Sequence, residues 1–312
     1  MGLRLKAPES QYTQKIVMAK VFIGMPVYNG ERFIRDALDS LIAQNFTDWE
    51  LLIADNASAD LTGDICNEYT ALDKRISYVR HEVNEGVMFN FNYVLEKAGS
   101  EFFMWAASDD IWEKEFLTEC VNLLGSHPEK SVAFGEIVNV DTYNRPYRDE
   151  KSLRSLSLPS SCQLVFRFIM EQEVFGKANM IYGLHRLHSI REVMRLPFDL
   201  TKHGCDCNIN LAVLARGGLA VSAKTIFRKR NARITDVEEK VDLVKMNVAR
   251  PCNYESTDIV DYYLPNAFVA LRGTRYLKCL YWALPIRFTR IYCAVWFNSL
   301  RGLIASKRRL IK

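Results

Sequence analysis

The sequence predicts an α/β chain with a mainly parallel sheet flanked by helices, and three observations carry that expectation. Short apolar runs (VFIGMP from Val21, ELLIAD from Glu50, FFMWA from Phe102) read as strands buried on both faces. Between them lie stretches with apolar residues at helical spacing, the alternation that builds parallel sheets through helical crossovers. The runs also end at turn residues or carboxylates, and ligands of such sheets bind outside the carboxyl ends of the strands.

Taken in order, Val21 to Pro26 is a buried strand closed by the turn Tyr28-Asn29-Gly30. Ile34, Leu38, Leu41 and Ile42 mark a helix from about Arg32 to Ala43. Glu50 to Asp55 is the second strand, and a polar turn, Asn56 to Asp60, leads to a helix bearing Leu61, Ile65 and Tyr69, with Asp60 as its expected cap. Ile76 to Val79 is a strand, Phe89 to Lys97 a helix, Phe102 to Ala106 a strand and Phe116 to Leu124 a helix. Tyr28, Asp55 and the Asp109-Asp110 pair therefore gather along one sheet edge.

The chemistry of that edge is open at this stage. A carboxylate pair after a buried strand suits a hard divalent cation, which takes oxygen ligands. It also suits an acidic turn, where Ser108 or Asp109 caps the helix beginning near Glu113. A dinucleotide fold is excluded, because Gly24 and Gly30 are separated by the bulky MPVYN and no G-x-G-x-x-G exists; no P-loop occurs either. A pyrophosphate would need some group other than a glycine cradle to neutralise it.

With 312 residues, 49% hydrophobic and 25% charged, the chain has the composition of one large or two ordinary globular domains. The net charge of +4 is uneven. Ten Lys or Arg and no Asp or Glu fall between Tyr262 and Lys312, leaving 31 basic against 37 acidic residues elsewhere. Eight cysteines are scattered, with only Cys205 and Cys207 close together at a spacing unlike zinc or redox motifs, so reduced thiols in a cytoplasmic setting are expected. Residues 1–18 read as a loose polar arm, and no apolar run reaches the roughly 18 residues of a membrane-spanning helix.

In the second half, Val132 to Phe134 reads as a strand and residues 144–161 as a long polar loop. Ile209, Val213 and Leu214 give a helix with Asp206 near its start, which by itself is an acid favoured by the helix dipole. His185, His188 and His203 fall at no metal-ligand spacing and are read as structural or exposed. Residues 235–248 suggest a surface helix. Pro265 and Pro285 divide the basic, aromatic tail into two or three helical pieces. Such a tail suits an anionic membrane surface, a packed helical cap or nucleic acid; the first is favoured, and no nucleic-acid partner is expected.

Four segments, VFIGMPVYNGERFIRDALDSLIAQNF, LLIADNASAD, RHEVNEGVMFNFN and AASDDIW, resemble in order the nucleotide-sugar-binding half of the family 2 glycosyltransferases, which have the GT-A fold. The resemblance is close over residues 20–125 and weaker to about 235. It implies a GT-A catalytic domain at 19–235 (nucleotide-sugar half 19–125, acceptor half 126–235), set between the loose arm at 1–18 and a helical, basic region at 236–312. It implies an inverting transfer from a nucleoside-diphosphate sugar, a UDP-sugar foremost, to a lipid-linked or glycan acceptor in bacterial surface-polysaccharide assembly. Pro26, Tyr28 and Glu31 would surround the nucleoside, Asp55 would meet the base, and Asn84 and Gly86 would belong to the adjoining loop. Asp109 would face the ribose or sugar, Asp110 would hold Mn2+ or Mg2+, and Asp206 would be the base that activates the acceptor hydroxyl.

The segment Gly176 to Leu184 resembles the family's acceptor-side stretch, and Arg228-Lys229-Arg230 either reaches the donor phosphates or forms a solvated basic face. The implied location is peripheral, on the cytoplasmic face of the plasma membrane through residues 262–312, with oligomeric state undetermined. Two departures stand out: Ala107 replaces a frequent additional Asp, and Asn56 replaces the second acid of the Asp55 turn. They leave room for a degenerate scaffold that keeps the fold without catalysis. A nucleotidyltransferase fits less well, because MPVYNGE lacks that class's glycine-rich basic loop.

Overall fold

The computed structural model describes residues 19–149, 153–157, 162–170, 176–198, 205–231 and 264–277. The first half alternates as the sequence predicts: β1 (Val21–Val27), α1 (Ile34–Ile42), β2 (Trp49–Asp55), α2 (Thr62–Leu72), β3 (Ile76–Arg80), α3 (Val87–Lys97) and β4 (Phe102–Trp105). A two-residue β5 (Ile111–Trp112) and α4 (Phe116–Ser126) follow. Then come β6 (Val132–Val140), β7 (Pro146–Asp149), α5 (Cys162–Met170), β8 (Leu184–Arg186), α6 (Leu187–Met194), α7 (Cys205–Arg216), β9 (Leu219–Arg230) and α8 (Leu264–Leu271).

The nine strands form one sheet in the order β3-β2-β1-β4-β8-β6-β9-β5, with β7 pairing β6. The pairs β1 with β2, β2 with β3 and β1 with β4 are parallel, so Val27, Asp55 and Trp105 end at the same edge. Strand β8 is antiparallel to both β4 and β6, and β6 is parallel to β9. Val21, Ile23 and Met25 on β1 are fully buried, as is every residue of β4 to within 1%. This central position explains why those runs lack polar alternation.

Helix α1 turns Ile34, Ala37, Leu38 and Leu41 onto the sheet at the expected spacing. The Asp60 cap acts from one residue further back than expected: Leu61 occupies the cap position, and the Asp60 carboxylate accepts from the Thr62 N–H at 3.0 Å and the Thr62 hydroxyl at 2.5 Å. Burial pushes this acid up, but these bonds and one from the Glu31 N–H hold it below the usual carboxylate range.

Three expectations change in the second half. The strand at Val132 continues to Val140, because a bulge at Gly135 lets β6 pass β9 closely; a Cβ there would come 2.7 Å from the Thr225 carbonyl oxygen. The presumed loop at 144–161 contains β7 and a 3-10 turn at Leu153–Leu156 whose two leucines are buried. Asp141 makes this possible by accepting from the N–H groups of Tyr143 and Arg145 and from Arg145 Nε, which turns β6 back onto β7. Cys66, Cys120, Cys205 and Cys207 are reduced thiols as expected, whereas Cys162 is disulfide-bonded.

The first part of the tail packs on the domain. Ala267, Ala270 and Leu271 of α8 are buried, and Arg216 of α7 donates to the Ala270 carbonyl at 3.0 Å. The expected arm at 1–18, the helix at 235–248 and the tail from residue 278 onward lie outside the described residues. Among the described residues no helix is long and apolar enough to cross a membrane.

Candidate active site

The carboxyl ends of β1, β2 and β4 carry three loops that are tied together. After β1, Asn29 adopts a φ of 51° and its N–H donates to Ser58 Oγ at 2.8 Å, while its side-chain oxygen accepts from the Ala59 N–H at 2.9 Å. The Gly30 N–H donates to Thr62 Oγ1 at 2.8 Å, and Glu31 Oε2 accepts from the Leu61 N–H at 2.9 Å. Glu31 thus fastens the β1 loop to the β2 loop. Tyr28 stands half exposed beside it, and Pro26 pairs with Ala54 inside the sheet.

Asp55 is fully buried and well partnered. Its Oδ1 accepts from the Ser58 N–H at 2.8 Å, its Oδ2 accepts from the Tyr78 hydroxyl at 2.8 Å, and Arg80 Nε lies 3.6 Å away. Burial pushes the Tyr78 hydroxyl well up, and the bond to Asp55 adds to the rise. Next to it, Asn56 Nδ2 donates to Asn84 Oδ1 at 2.8 Å and to the Gly86 carbonyl at 3.1 Å, while its Oδ1 accepts from the Glu85 N–H at 3.0 Å. The Asn that replaces an acid at this position is therefore the clasp of the Asn84–Gly86 loop, and only an amide can give and take hydrogen bonds there. Gly86, with a φ of 89°, permits the turn into α3.

The Asp109-Asp110 loop lies against the first of these loops: a Cβ on Gly30 would be 3.4 Å from Ser108 Oγ. Asp110 is fully buried, its Oδ1 accepting from the Arg230 N–H at 2.9 Å and its Oδ2 from Lys229 Nζ at 2.9 Å. Burial pushes its carboxyl up to about 6, against the pull of Lys229 and with Asp109 adding to the rise. Burial also opposes the charge on Lys229, but Asp110 more than offsets this, so Lys229 stays protonated above its ordinary range. At neutral pH the two form an ion pair.

Arg230 braces the loop from beneath. Its side chain is 1% exposed, and it donates to the carbonyls of Asp109 at 2.9 Å and Thr142 at 3.1 Å and to Asp36 Oδ2 at 2.6 Å. Arg228, on the same strand, is paired with Glu113 at 2.7 Å. The basic run predicted at 228–230 is therefore the end of β9, with its three cations assigned to three different acids.

Tyr182, in the 3-10 segment Lys177–Tyr182, lies beside this cluster. The Lys229 ammonium lies 5.3 Å from the centre of its ring. Burial pushes its hydroxyl up to about 12; Lys229 works against that shift, and the charges of Asp110, Asp109 and Asp206 reinforce it. Asp206 lies in the first turn of α7. His185 is buried and held down to about 4 by burial, with Nε2 3.1 Å from the Ile181 carbonyl. His188 is exposed beside Ser189, and His203 lies outside the described residues.

Sequence reasoning left Tyr182 unassigned, gave Arg230 no bracing role and did not connect Lys229 to Asp110. The only sequence signal for them was alternation along TIFRKR, where Thr225 and Phe227 are buried and Ile226 and Arg228 are partly exposed.

A cation suits this place. Asp110 offers one buried oxygen to a positive charge, and an ammonium already stands at it. Among the described residues no group of three or more His, Cys, Asp or Glu side chains could hold a metal. A divalent ion would therefore draw on Asp110 and its neighbour Asp109 and take its remaining ligands from phosphate and water, a usual arrangement for Mg2+.

A mainly parallel sheet with pinned loops at its carboxyl edge and a carboxylate pair beyond the fourth strand has the GT-A architecture. Staphylococcus aureus TarS 1–349 in complex with UDP-GlcNAc superposes with a TM-score of 0.60 at 17% identity, covering 83% of this chain and 69% of that one. The mannosyltransferase PcManGT from Pyrobaculum calidifontis, in complex with GDP-Man and Mn2+, gives 0.51 at 14% identity, covering 95% and 81%. The sequence model of Glycosyl transferase family 2 matches residues 22–186, and the chain belongs to that family. Among curated relatives, the glycosyltransferase GlyA of Streptococcus pneumoniae is 25% identical over 211 residues, 64% of this chain and 28% of GlyA. TuaG of Bacillus subtilis, named for teichuronic acid biosynthesis, is 35% identical over 109 residues, 35% of this chain and 42% of TuaG. The matches therefore span less than half of either relative.

Proposed function

We propose that the chain is an inverting glycosyltransferase that moves a sugar from a nucleoside-diphosphate sugar, a UDP-sugar foremost, to a lipid-linked or glycan acceptor in bacterial surface-polysaccharide assembly. Family membership supports the class, and the naming of TuaG supports the setting. The observation that carries the reading is the buried Asp110, one oxygen fixed by the Arg230 amide and the other turned to a cation at the sheet edge.

In this reading residues 19–125 bind the donor and 126–235 receive the acceptor. Tyr28 lies along the nucleoside, with Pro26 and Glu31 holding its loop. Asp55 would meet the base once the buried Ser58 and Tyr78 contacts around it open, and Asn84 and Gly86 close the neighbouring side. Asp109 faces the ribose or sugar. Asp110, with Asp109 beside it, would hold Mn2+ or Mg2+; bound there, the ion would stabilise charge developing on the leaving diphosphate. Asp206, in the first turn of α7, takes the proton of the acceptor hydroxyl. The tail beyond α8 contacts an anionic membrane on the cytoplasmic side, which its ten basic residues and lack of acids support.

The test is donor turnover. Purified chain supplied with Mn2+ and a panel of UDP, GDP, CDP and dTDP sugars should release nucleoside diphosphate from one of them. Asp206→Asn should slow transfer by at least a hundredfold while changing donor affinity by less than about threefold. Release from no donor with any acceptor would sink the reading in favour of a binding scaffold.

A further inference from the structure

We propose that Lys229 holds the Asp110 position against a divalent cation until the donor's diphosphate is present, so that metal and donor enter as a pair. The inference rests on the nucleotide-sugar reading of this edge and names a control built into it.

The argument is one of charge and space. Asp110 is fully buried and has two oxygens, one committed to the Arg230 N–H and the other to Lys229 Nζ at 2.9 Å. A divalent ion needs an oxygen lone pair of Asp110, and the ammonium stands at the oxygen left for it. Two cations cannot share one buried carboxylate oxygen without strong repulsion. Leaving Asp110 bare would cost more, since an unpaired buried carboxylate is expensive. Without a donor, the Lys229 pair is therefore the favoured state.

Lys229 is also the cation at this edge that can leave. Arg230 is pinned by three acceptors and is 1% exposed, and Arg228 is engaged by Glu113 at 2.7 Å. The Lys229 side chain is 26% exposed, on a flexible stem with its head beside Tyr182 and the Asp109 loop. A diphosphate arriving here offers several anionic oxygens. The ammonium can move onto them and vacate Asp110, and the same phosphates supply the metal ligands that the described residues lack. Each ligand then tightens the other by the same factor, as linkage requires.

Mn2+ binding to the full chain, followed by electron paramagnetic resonance of the free ion, tests this with UDP and GDP in parallel. With the Mn2+ chelated by nucleotide alone measured separately and subtracted, wild type should bind Mn2+ at least tenfold more tightly with one of the nucleotides than without. Lys229→Gln should bind Mn2+ alone at least tenfold more tightly than wild type, with a correspondingly smaller gain from nucleotide, and Lys229→Arg should behave like wild type. Adding Asp110→Asn to Lys229→Gln should abolish the gained affinity. If wild type binds Mn2+ equally well with and without a nucleotide that it demonstrably binds, the inference is overturned while the functional reading stands. The same holds if Lys229→Gln gains nothing or its gain survives Asp110→Asn. A chain that binds no nucleoside diphosphate under any condition overturns both. Should Lys229→Gln fail to fold, Lys229→Met carries the same comparison.

Discussion

Replacing Asn56 with Asp restores the acid common in the family at this position, and in this chain it should be destabilising. Asn56 is 3% exposed, with its Nδ2 2.8 Å from Asn84 Oδ1 and 3.1 Å from the Gly86 carbonyl. A carboxylate would face both oxygens without a proton to give, while keeping only the Glu85 N–H at 3.0 Å. The acid form could donate one of the two lost bonds. The folded state therefore favours protonation, so the folded pKa lies above the unfolded value of about 3.9. A raised folded pKa stabilises below the unfolded value and is lost as pH rises through the folded one.

At pH 7 the penalty is bounded by the cost of protonating an ordinary aspartate, about 4 kcal/mol, plus about 1 kcal/mol for the bond an acid cannot replace. We expect roughly 3 to 5 kcal/mol at pH 7 and roughly 2 kcal/mol less at pH 5, where protonation costs only about 1.5 kcal/mol. Thermal unfolding at the two pH values measures this, with a Tm lowered by roughly 10 °C at pH 7 and visibly less at pH 5. Equal stability of variant and wild type at pH 7, or a larger penalty at pH 5, would refute the clasp.

Three other expectations use different parts of the molecule. Arg230→Met should cost about 2 to 4 kcal/mol in urea unfolding, mostly from the Asp109 and Thr142 carbonyl bonds, because Asp36 is half exposed and its share is screened; a loss under about 0.5 kcal/mol would discount the brace. Gly24→Ala places a Cβ 2.6 Å from Val94 Cγ2, so it should cost about 1 to 3 kcal/mol. Paired with Val94→Ala the total loss should be less than the sum of the singles, and strict additivity would contradict the contact. Removing residues 278–312, beyond the part of the tail that packs on α7, should release the chain from anionic vesicles in a flotation assay; undiminished binding would exonerate the tail.

The first half was legible because its signals are local. Apolar runs and helical spacing announce β1 to β4 and their helices, and the residues at or just beyond a strand's end announce what stands at the sheet edge, as Asp55 does at the end of β2 and Asp110 in the loop after β4. Val132 was legible only for three residues, since Gly135 and Glu136 break the apolar run that pairing with β9 carries on to Val140. Asn56 looked like a lost charge, because its partners lie 28 and 30 residues away and nothing nearby names them.

Sequence alone determined the alternation of elements, the α/β class and the pair of acids beyond β4, since each follows from residue type and spacing along a short stretch. Only the tertiary structure decided that Lys229 stands on Asp110 from 119 residues away, that Arg230 supports the Asp109 loop from 121, and that Tyr182 lies beside the Lys229 ammonium. Such pairings are chosen by which buried charges the folded sheet brings together. Burial makes every unpaired charge costly wherever in the chain its partner lies.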